Sequence, residues 1–298
     1  MTQTRRVHPA WIAAIVTFFT LVATAGFRSA PSVLIVPLED AFGWGRDQIS
    51  LAISVNVLLY GLTAPFAAAL MERFTVRKVV MAALTTVSTG AFLTTFVHAP
   101  WQLVLTWGVI VGIGTGSMAL VFAATVANRW FVKRRGLVVG ALTAAAATGQ
   151  LVFLPGLTAL SADHGWKSIG LTIGTASLLM VPFIYFFLRE KPADLGLLPY
   201  GADESWQPPI KSTMSAGRLA IVTLKEASVH KDFWYLFGSF FVCGLSTNGL
   251  IGTHFIPAAH DHGMGTTTAA SLLALVGVFD LVGTIASGWL TDKYDPRK

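Results

Sequence analysis

Eight long apolar runs, separated by short polar stretches, make up most of the chain. They lie at roughly 11–36, 49–70, 79–98, 102–127, 137–160, 167–188, 233–257 and 269–290. As an α-helix, each run is long enough to cross a bilayer core of about 30 Å. Transmembrane β-strands would instead alternate in polarity over segments of about ten residues. The pattern therefore predicts an all-α membrane protein.

The composition and the placement of charge agree with this prediction. Hydrophobic residues make up 54% of the chain and charged residues only 12%, against about 25% in soluble domains. The net charge of +6 does not indicate nucleic-acid binding, because the basic residues follow the ends of the spans rather than one soluble face. All 21 Lys and Arg residues except Arg28, Arg46 and Lys167 fall on the side that holds the N-terminus. The positive-inside rule then predicts a cytoplasmic N-terminus.

A polar segment divides the spans into two groups. We expect a six-helix bundle over residues 1–189, a cytoplasmic linker over 190–232, and the first two helices of a second bundle over 233–298. The linker holds four prolines, which favour irregular structure. Near its end Ser215 is placed to cap an amphipathic helix that carries Leu219 and Leu224. Such a helix is expected to lie on the membrane surface, with a calmodulin-like partner as the alternative.

The chain repeats part of its own sequence at an offset of 220 residues. Seven positions in the first copy recur with similar chemistry in the second: Ala68, Leu70, Glu72, Arg73, Phe74, Arg77 and Lys78 correspond to Gly288, Leu290, Asp292, Lys293, Tyr294, Arg297 and Lys298. A repeat over this distance indicates two related helical bundles. By this relation about 112 further residues, with four more spans, would complete the second bundle. We therefore expect a C-terminally incomplete twelve-helix protein.

Both copies of this motif resemble the signature of the major facilitator superfamily, which lies between helices two and three and again between helices eight and nine. The first copy departs from it at Ala68, Glu72 and Thr75. Four further stretches resemble the bacterial monocarboxylate-porter and oxalate/formate-antiporter branch: Phe42–Arg46, Trp130–Gly136, Gly165–Lys167 and Lys191–Gly201.

The resemblance implies a secondary active transporter of a bacterial cell membrane, with two bundles that rock about a central site. It implies a cytoplasmic gate in which the acidic residue of the first copy of the motif, Glu72, docks against the start of helix eleven. The gate residues would be Glu72, Arg73, Arg77, Gly288, Asp292, Lys293 and Arg297.

Two ionisable residues inside the spans are candidates for the transport site, because charges are expensive there. Asp280 could carry a coupling proton, since a low dielectric favours the neutral carboxyl group, or it could make a structural ion pair. Arg28 could bind a carboxylate, or it could snorkel to the outer surface, because it lies about 25 Å along the first helix from the start of that apolar run. The repeat pairs Arg28 with Asn248 and Tyr60 with Asp280, so these four groups are expected to face one another. Gln150 is a further candidate to line the cavity.

These features predict a carrier of a small organic anion of the monocarboxylate kind, with a proton as the candidate coupling ion and the lipid bilayer as its surroundings. The proton-linked monocarboxylate transporters, which the chain resembles at Asp280, carry an Arg four residues later, where this chain has Thr284. The alternatives are an exporter of drugs or neutral metabolites and a truncated membrane protein that does not transport.

Enzymatic activity and cofactors are not expected, because the sequence shows no phosphate-binding loop and no convergent nucleophile and base. The cluster of His254, His260, Asp261 and His262 lacks diagnostic metal-ligand spacing, so no metal site is predicted.

Overall fold

The structure is a computed structural model that describes residues 8–203, 205–207 and 214–294. Eight of the described helices are long and apolar enough to cross a membrane. They are α1 (Pro9–Phe42), α2 (Arg46–Arg73), α3 (Val76–Thr94), α4 (Pro100–Trp130), α5 (Arg135–His164), α6 (Lys167–Phe187), α8 (Lys231–Asp261) and α9 (Thr266–Lys293). A short helix, α7 (Ala216–Ser228), precedes α8. The all-α prediction and its eight spans are confirmed.

The ends of the helices follow from local backbone chemistry. The first helix extends past its predicted end at residue 36 to Phe42, where Gly43 adopts a left-handed conformation (φ 68°) and donates its N–H to the Glu39 carbonyl at 2.8 Å. The side chain of Thr75 caps α3 by accepting the N–H of Lys78. Polar terminal turns of this kind continue a helix beyond its apolar run, so six of the eight helices are longer than the predicted spans, whereas α3 and α6 are each one residue shorter.

Small residues allow the central helices to approach closely. A Cβ atom added to Gly116 of α4 would lie 2.5 Å from the carbonyl oxygen of Tyr60 in α2. A Cβ atom on Gly288 of α9 would lie 2.4 Å from the carbonyl oxygen of Gly136 and 3.0 Å from the Cα of Gly140, both in α5. Larger side chains would force these helices apart. Glycine therefore determines the spacing of α2 from α4 and of α5 from α9.

The carboxylate of Glu190 connects four helices at the end of the protein where many basic residues lie. We call this end the basic end; it carries Arg73, Arg77, Arg129, Lys133, Arg135 and Lys293. Glu190, just after α6, accepts the N–H of Val76 at the start of α3 and forms an ion pair with Arg129 of α4. Arg129 also donates to the Met71 carbonyl of α2 at 3.0 Å. The sequence does not predict this cluster, because its members lie far apart along the chain.

The linker packs against the first bundle at the basic end. The helix α7 begins at Ala216, and the Ser215 side chain makes no capping hydrogen bond, contrary to expectation. Ala216 and Ala220 pack on Ala69 of α2, while Ile221 is 59% exposed. The amphipathic helix thus exists, and its location at a membrane surface stays a prediction.

Candidate functional site

Arg28 and Tyr60 line the same cavity. This cavity has a volume of about 110 Å³ and lies between α1, α2, α4 and α5. The Arg28 guanidinium carbon is 6.0 Å from the centre of the Tyr60 ring, which is the distance of a cation–π contact. The complete lining consists of Leu21, Thr24, Ala25, Phe27, Arg28, Tyr60, Leu120, Ala123, Leu142 and Thr143. The structure therefore brings together two of the predicted candidates.

The position of Arg28 along its helix bears on the two alternatives for this residue. Because α1 continues to Phe42, Arg28 lies 14 residues before the end of the helix, or about 21 Å. An arginine side chain cannot span that distance, but the bilayer surface lies nearer than the end of the helix, so snorkelling stays an alternative. All five candidates, Arg28, Tyr60, Gln150, Asn248 and Asp280, fall within three residues of the midpoints of their helices. Transporters bind their substrates near the middle of the membrane, so a role for these residues in substrate binding stays a prediction that their helical positions allow.

The lining of the cavity is mostly apolar, with few hydrogen-bond donors. The Thr24 hydroxyl donates to the Thr20 carbonyl at 2.9 Å, and the Thr143 hydroxyl donates to the Val139 carbonyl at 3.0 Å. The other polar lining side chains are Arg28 and Tyr60, which supply an N–H fork and a hydroxyl group. An arginine in largely apolar surroundings is suited to an anionic group on an apolar solute.

Asp280 does not line this cavity. It lies at the middle of α9, where its side chain is exposed and its backbone carbonyl accepts the Thr284 hydroxyl. The α9 residues that pack most closely on α5, such as Gly277 and Gly288, lie on a neighbouring face of the helix. For Gln150 and Asn248 the structure establishes the helical position alone. Of the four polar groups expected to meet, the structure brings Arg28 and Tyr60 together and leaves Asp280 outside their cavity, while the position of the Asn248 side chain stays a prediction.

The second copy of the repeated motif joins the two bundles at the basic end. The Asp292 carboxylate accepts the backbone N–H groups of Gly136 at 2.8 Å and Leu137 at 2.7 Å, at the start of α5. An acid at this position satisfies two N–H groups that lack partners within the helix and interacts favourably with the helix dipole. Lys293 lies 4.1 Å from the Trp289 ring. Arg297 is outside the described residues.

The first copy of the motif has different surroundings. Glu72 is exposed, and Arg73 lies over the Phe74 ring at 5.7 Å. Arg77 lies 5.4 Å from the Tyr185 ring of α6 and donates to the Tyr185 carbonyl. The contact of Glu72 with a helix eleven, which the resemblance implies, stays a prediction.

A second contact between the bundles lies at the opposite end. Arg46, at the start of α2, donates two hydrogen bonds to the Asp261 carboxylate at the end of α8, at 2.5 and 2.8 Å. Its Nε atom donates to Glu39 of α1 at 2.7 Å. Bidentate geometry of this kind makes the strongest arginine–carboxylate pairs. Among the described residues, no three His, Cys, Asp or Glu side chains lie close enough to hold a metal ion.

The sequence did not lead us to predict either contact between the bundles, that of Asp292 with the start of α5 or that of Arg46 with Asp261. For Asp292, the repeat contained the signal: helix five corresponds to helix eleven of the second bundle, so the docking expected of Glu72 predicts a matching contact between Asp292 and helix five. For Arg46 and Asp261 the loops carried no comparable pattern. Their pairing depends on how the two bundles are packed.

Eight membrane-length helices with a mid-depth cavity and contacts between two repeated bundles are typical of helical transporters. Residues 16–298 match the family model described as Major Facilitator Superfamily, and the chain belongs to that family. Members of this family are membrane carriers rather than enzymes. The chain is therefore part or all of a multi-pass membrane protein.

The chain is also similar to individual proteins of this family. The chain is 26% identical to the uncharacterized MFS-type transporter YcxA of Bacillus subtilis, over 96% of this chain and 66% of the relative. It is 25% identical to mouse monocarboxylate transporter 11, over 95% of this chain and 59% of the relative. The chain thus spans about three fifths to two thirds of the length of these relatives.

Solved structures show the same fold. The structure of the proton:xylose symporter XylE bound to 6-bromo-6-deoxy-D-glucose aligns with a TM-score of 0.66 at 14% identity. The alignment covers 96% of this chain and 70% of the symporter chain. At this identity the likeness concerns the fold and carries no information about the substrate.

Proposed function

We propose that this chain belongs to a secondary active transporter that carries a small organic anion and binds it at Arg28, in the cavity that α1, α2, α4 and α5 of the first bundle line. The observation that carries the proposal is the placement of Arg28 and Tyr60 in one mid-depth, mostly apolar cavity. The names of several relatives, the monocarboxylate transporters, support the same substrate class. Alternating access, by movement of the two bundles about this cavity, is part of the proposal.

The contact with Tyr60 would help Arg28 to bind a carboxylate. A guanidinium group points its N–H donors outward in its own plane, while its face stacks on aromatic rings. Packing against Tyr60 therefore restricts the orientation of the side chain and is compatible with bidentate binding of an anion. Restricting the side chain beforehand lowers the entropy lost when the substrate binds.

The size of the cavity favours a short substrate. Its volume of about 110 Å³ is somewhat smaller than the engineered cavity of about 150 Å³ that accepts benzene. The apolar lining suits a short aliphatic or aromatic tail, and the single cation suits one carboxylate. We therefore favour monocarboxylates over larger dicarboxylates or sugars.

Uptake of labelled monocarboxylates into cells that express the protein tests this proposal. We expect Arg28→Gln to abolish uptake and Arg28→Lys to retain part of it, because lysine keeps the charge but loses the fork geometry. Arg218→Gln is the matched control, since Arg218 is an exposed arginine on α7 that does not line the cavity. Undiminished uptake by Arg28→Gln would contradict the proposal and favour an exporter of drugs or neutral metabolites.

Proton coupling through Asp280 is a second, separate part of the proposal. It rests on the position of this carboxyl group at the middle of α9. An ionisable side chain inside a membrane span is costly and usually has a function. We also propose that the basic end faces the cytoplasm of a bacterial cell, on the basis of its Lys and Arg content. A reporter fused to the N-terminus and tested for cytoplasmic activity would check this orientation.

A further inference from the structure

The first part of the linker forms a strap across the basic end of the first bundle. We use this name for Gly196–Gly201. Tyr200 donates its N–H to the Trp130 carbonyl at 2.8 Å, and its carbonyl accepts the N–H groups of Val132 at 3.0 Å and Lys133 at 3.2 Å. These three bonds bind the strap to the loop between α4 and α5, residues 131–134. The N–H groups of Val132 and Lys133 are thereby paired, although the loop belongs to no helix.

Side-chain and backbone packing reinforce the same contact. The Tyr200 ring lies 5.8 Å from the Phe131 ring and 5.7 Å from the rings of both His8 and Trp11. Gly201 has a positive φ of 80°, and a Cβ atom at this position would lie 2.6 Å from the Lys133 Cβ. Only glycine fits this position without strain. The close approach of strap and loop is therefore built into the sequence.

The loop that the strap holds ends in a strained residue. Arg134 has φ 62° and ψ 27°, and it is the one non-glycine residue with positive φ in the described part of the chain. Such a conformation is unfavourable for a residue with a Cβ atom and persists only where its surroundings enforce it. Arg134 is also the residue that immediately precedes α5. Its conformation sets the direction in which that helix begins.

The first turn of α5 is where the second bundle makes contact. The N–H groups of Gly136 and Leu137, which bind the Asp292 carboxylate, come two and three residues after Arg134. The tight fit of Gly288 on Gly136 leaves no room for this turn to shift while the contact persists. The hydrogen bonds of Asp292 therefore require the first turn of α5 to be held in one place.

The geometry points to a positioning role for the strap: through Tyr200 and Gly201 it holds the loop and Arg134 so that the first turn of α5 can receive Asp292. Loosening the strap then opens the basic end between α5 and α9. The linker thus does more than connect the bundles, because it stabilises the state in which they are closed at this end. This inference rests on the movement of the bundles that the proposed function includes.

Thiol labelling measures this opening without any substrate. In a Cys243→Ser background, Thr284→Cys places a reporter on α9 at a half-buried side chain, whose backbone carbonyl lies 2.6 Å from where a Gly140 Cβ would be, so labelling is measured as a rise above the rate in the closed protein. Ile256→Cys places a second reporter on α8 near the opposite end, at a side chain only 1% exposed. A water-soluble maleimide is added to the protein in lipid nanodiscs, and both labelling rates are recorded.

The strap variants separate backbone pairing from other effects. Tyr200→Pro removes the N–H that binds Trp130, and Gly201→Ala disturbs the same pairing while retaining the Tyr200 ring. Tyr200→Phe keeps the backbone bonds and is the matched control. We expect each of the first two variants to raise labelling of the Thr284→Cys reporter about five- to tenfold, the effect of losing about one hydrogen bond. Labelling of the Ile256→Cys reporter should not rise.

A double-mutant cycle tests the route of the effect. Asp292→Asn alone should also raise labelling of the Thr284→Cys reporter, and Tyr200→Pro should then add little, because both changes act on the same contact. Equal rises at both reporters, no rise in either strap variant, or full additivity with Asp292→Asn would overturn the inference. An unchanged rate in Asp292→Asn would overturn both the inference and the proposed movement at this end, whereas substrate binding at Arg28 is tested separately by uptake.

Discussion

Removing Arg46 tests the contact between the bundles at the end opposite the basic end. The change Arg46→Gln deletes a bidentate pair with Asp261 and a hydrogen bond to Glu39. The end of α1 and the end of α8 would then lose the side chain that joins them, and the carboxylates of Glu39 and Asp261 would lose the positive charge of Arg46. We expect α8 to separate more often from α1 at this end.

The magnitude of this effect is limited by solvent. The Arg46 and Asp261 side chains are each 42% exposed, and Glu39 is 23% exposed. Exposed ion pairs of this kind stabilise a contact only weakly, because water and salt screen them. We therefore expect the loss of both pairs to raise the fraction of open molecules by a small factor, about fivefold.

The assay is thiol labelling of Ile256→Cys in the Cys243→Ser background, at low and high salt. We expect Arg46→Gln to raise the rate about fivefold at low salt and less at 1 M salt, where the Debye length falls to about 3 Å. Charge reversal, with Arg46→Asp and Asp261→Arg combined with Glu39→Gln to remove the carboxylate beside position 46, should restore part of the closed population. An effect of Arg46→Gln that is equal at both salt concentrations, or a failure of charge reversal to restore anything, would refute the electrostatic explanation.

Three further changes have defined outcomes. Gly288→Val should lower the stability of the α5–α9 contact by about 1–3 kcal/mol through overpacking, as seen in the melting temperature, whereas Gly283→Val should not, because no neighbouring atom lies within 4 Å of its Cβ position. Asp280→Asn should leave substrate exchange intact but abolish substrate-driven pH changes, and unaltered pH changes would exclude its role in coupling. Glu190→Gln should destabilise the protein by about 1–3 kcal/mol, because it leaves the half-buried Arg129 without its ion pair. If the double variant with Arg129→Gln is no more stable than the sum of the single changes predicts, the pair is not coupled.

The parts of the fold that depend on local composition could be predicted from the sequence. Hydrophobic length determines which segments are helices that cross a membrane, and the eight spans follow directly from it. The ends of the helices were less predictable, because a polar turn such as Glu39–Phe42 continues α1 without any apolar signal. That extension matters for function, since it moves Arg28 from near one end of its helix to near the middle.

The candidate site was predictable as a set of residues and unpredictable as an arrangement. Charge inside an apolar span identifies Arg28, and the repeat identifies Tyr60, but neither pattern gives the rotation of a helix about its own axis. Rotation decides that Arg28 and Tyr60 share a cavity and that Asp280 does not line it. The contacts of Glu190 and Tyr200 were beyond prediction for a related reason, because they join segments that meet only when the bundle is assembled.

The two contacts between the bundles differ in chemistry, and this difference has a consequence for how the closed form responds to its surroundings. At the basic end, a carboxylate binds backbone N–H groups beside closely packed glycines, so much of the contact depends on shape. At the opposite end, exposed side chains form ion pairs, so the contact depends on charge. Salt screens exposed charges but has little effect on close packing. Raising the ionic strength should therefore open the Arg46 end before the basic end, and the two cysteine reporters should respond in that order.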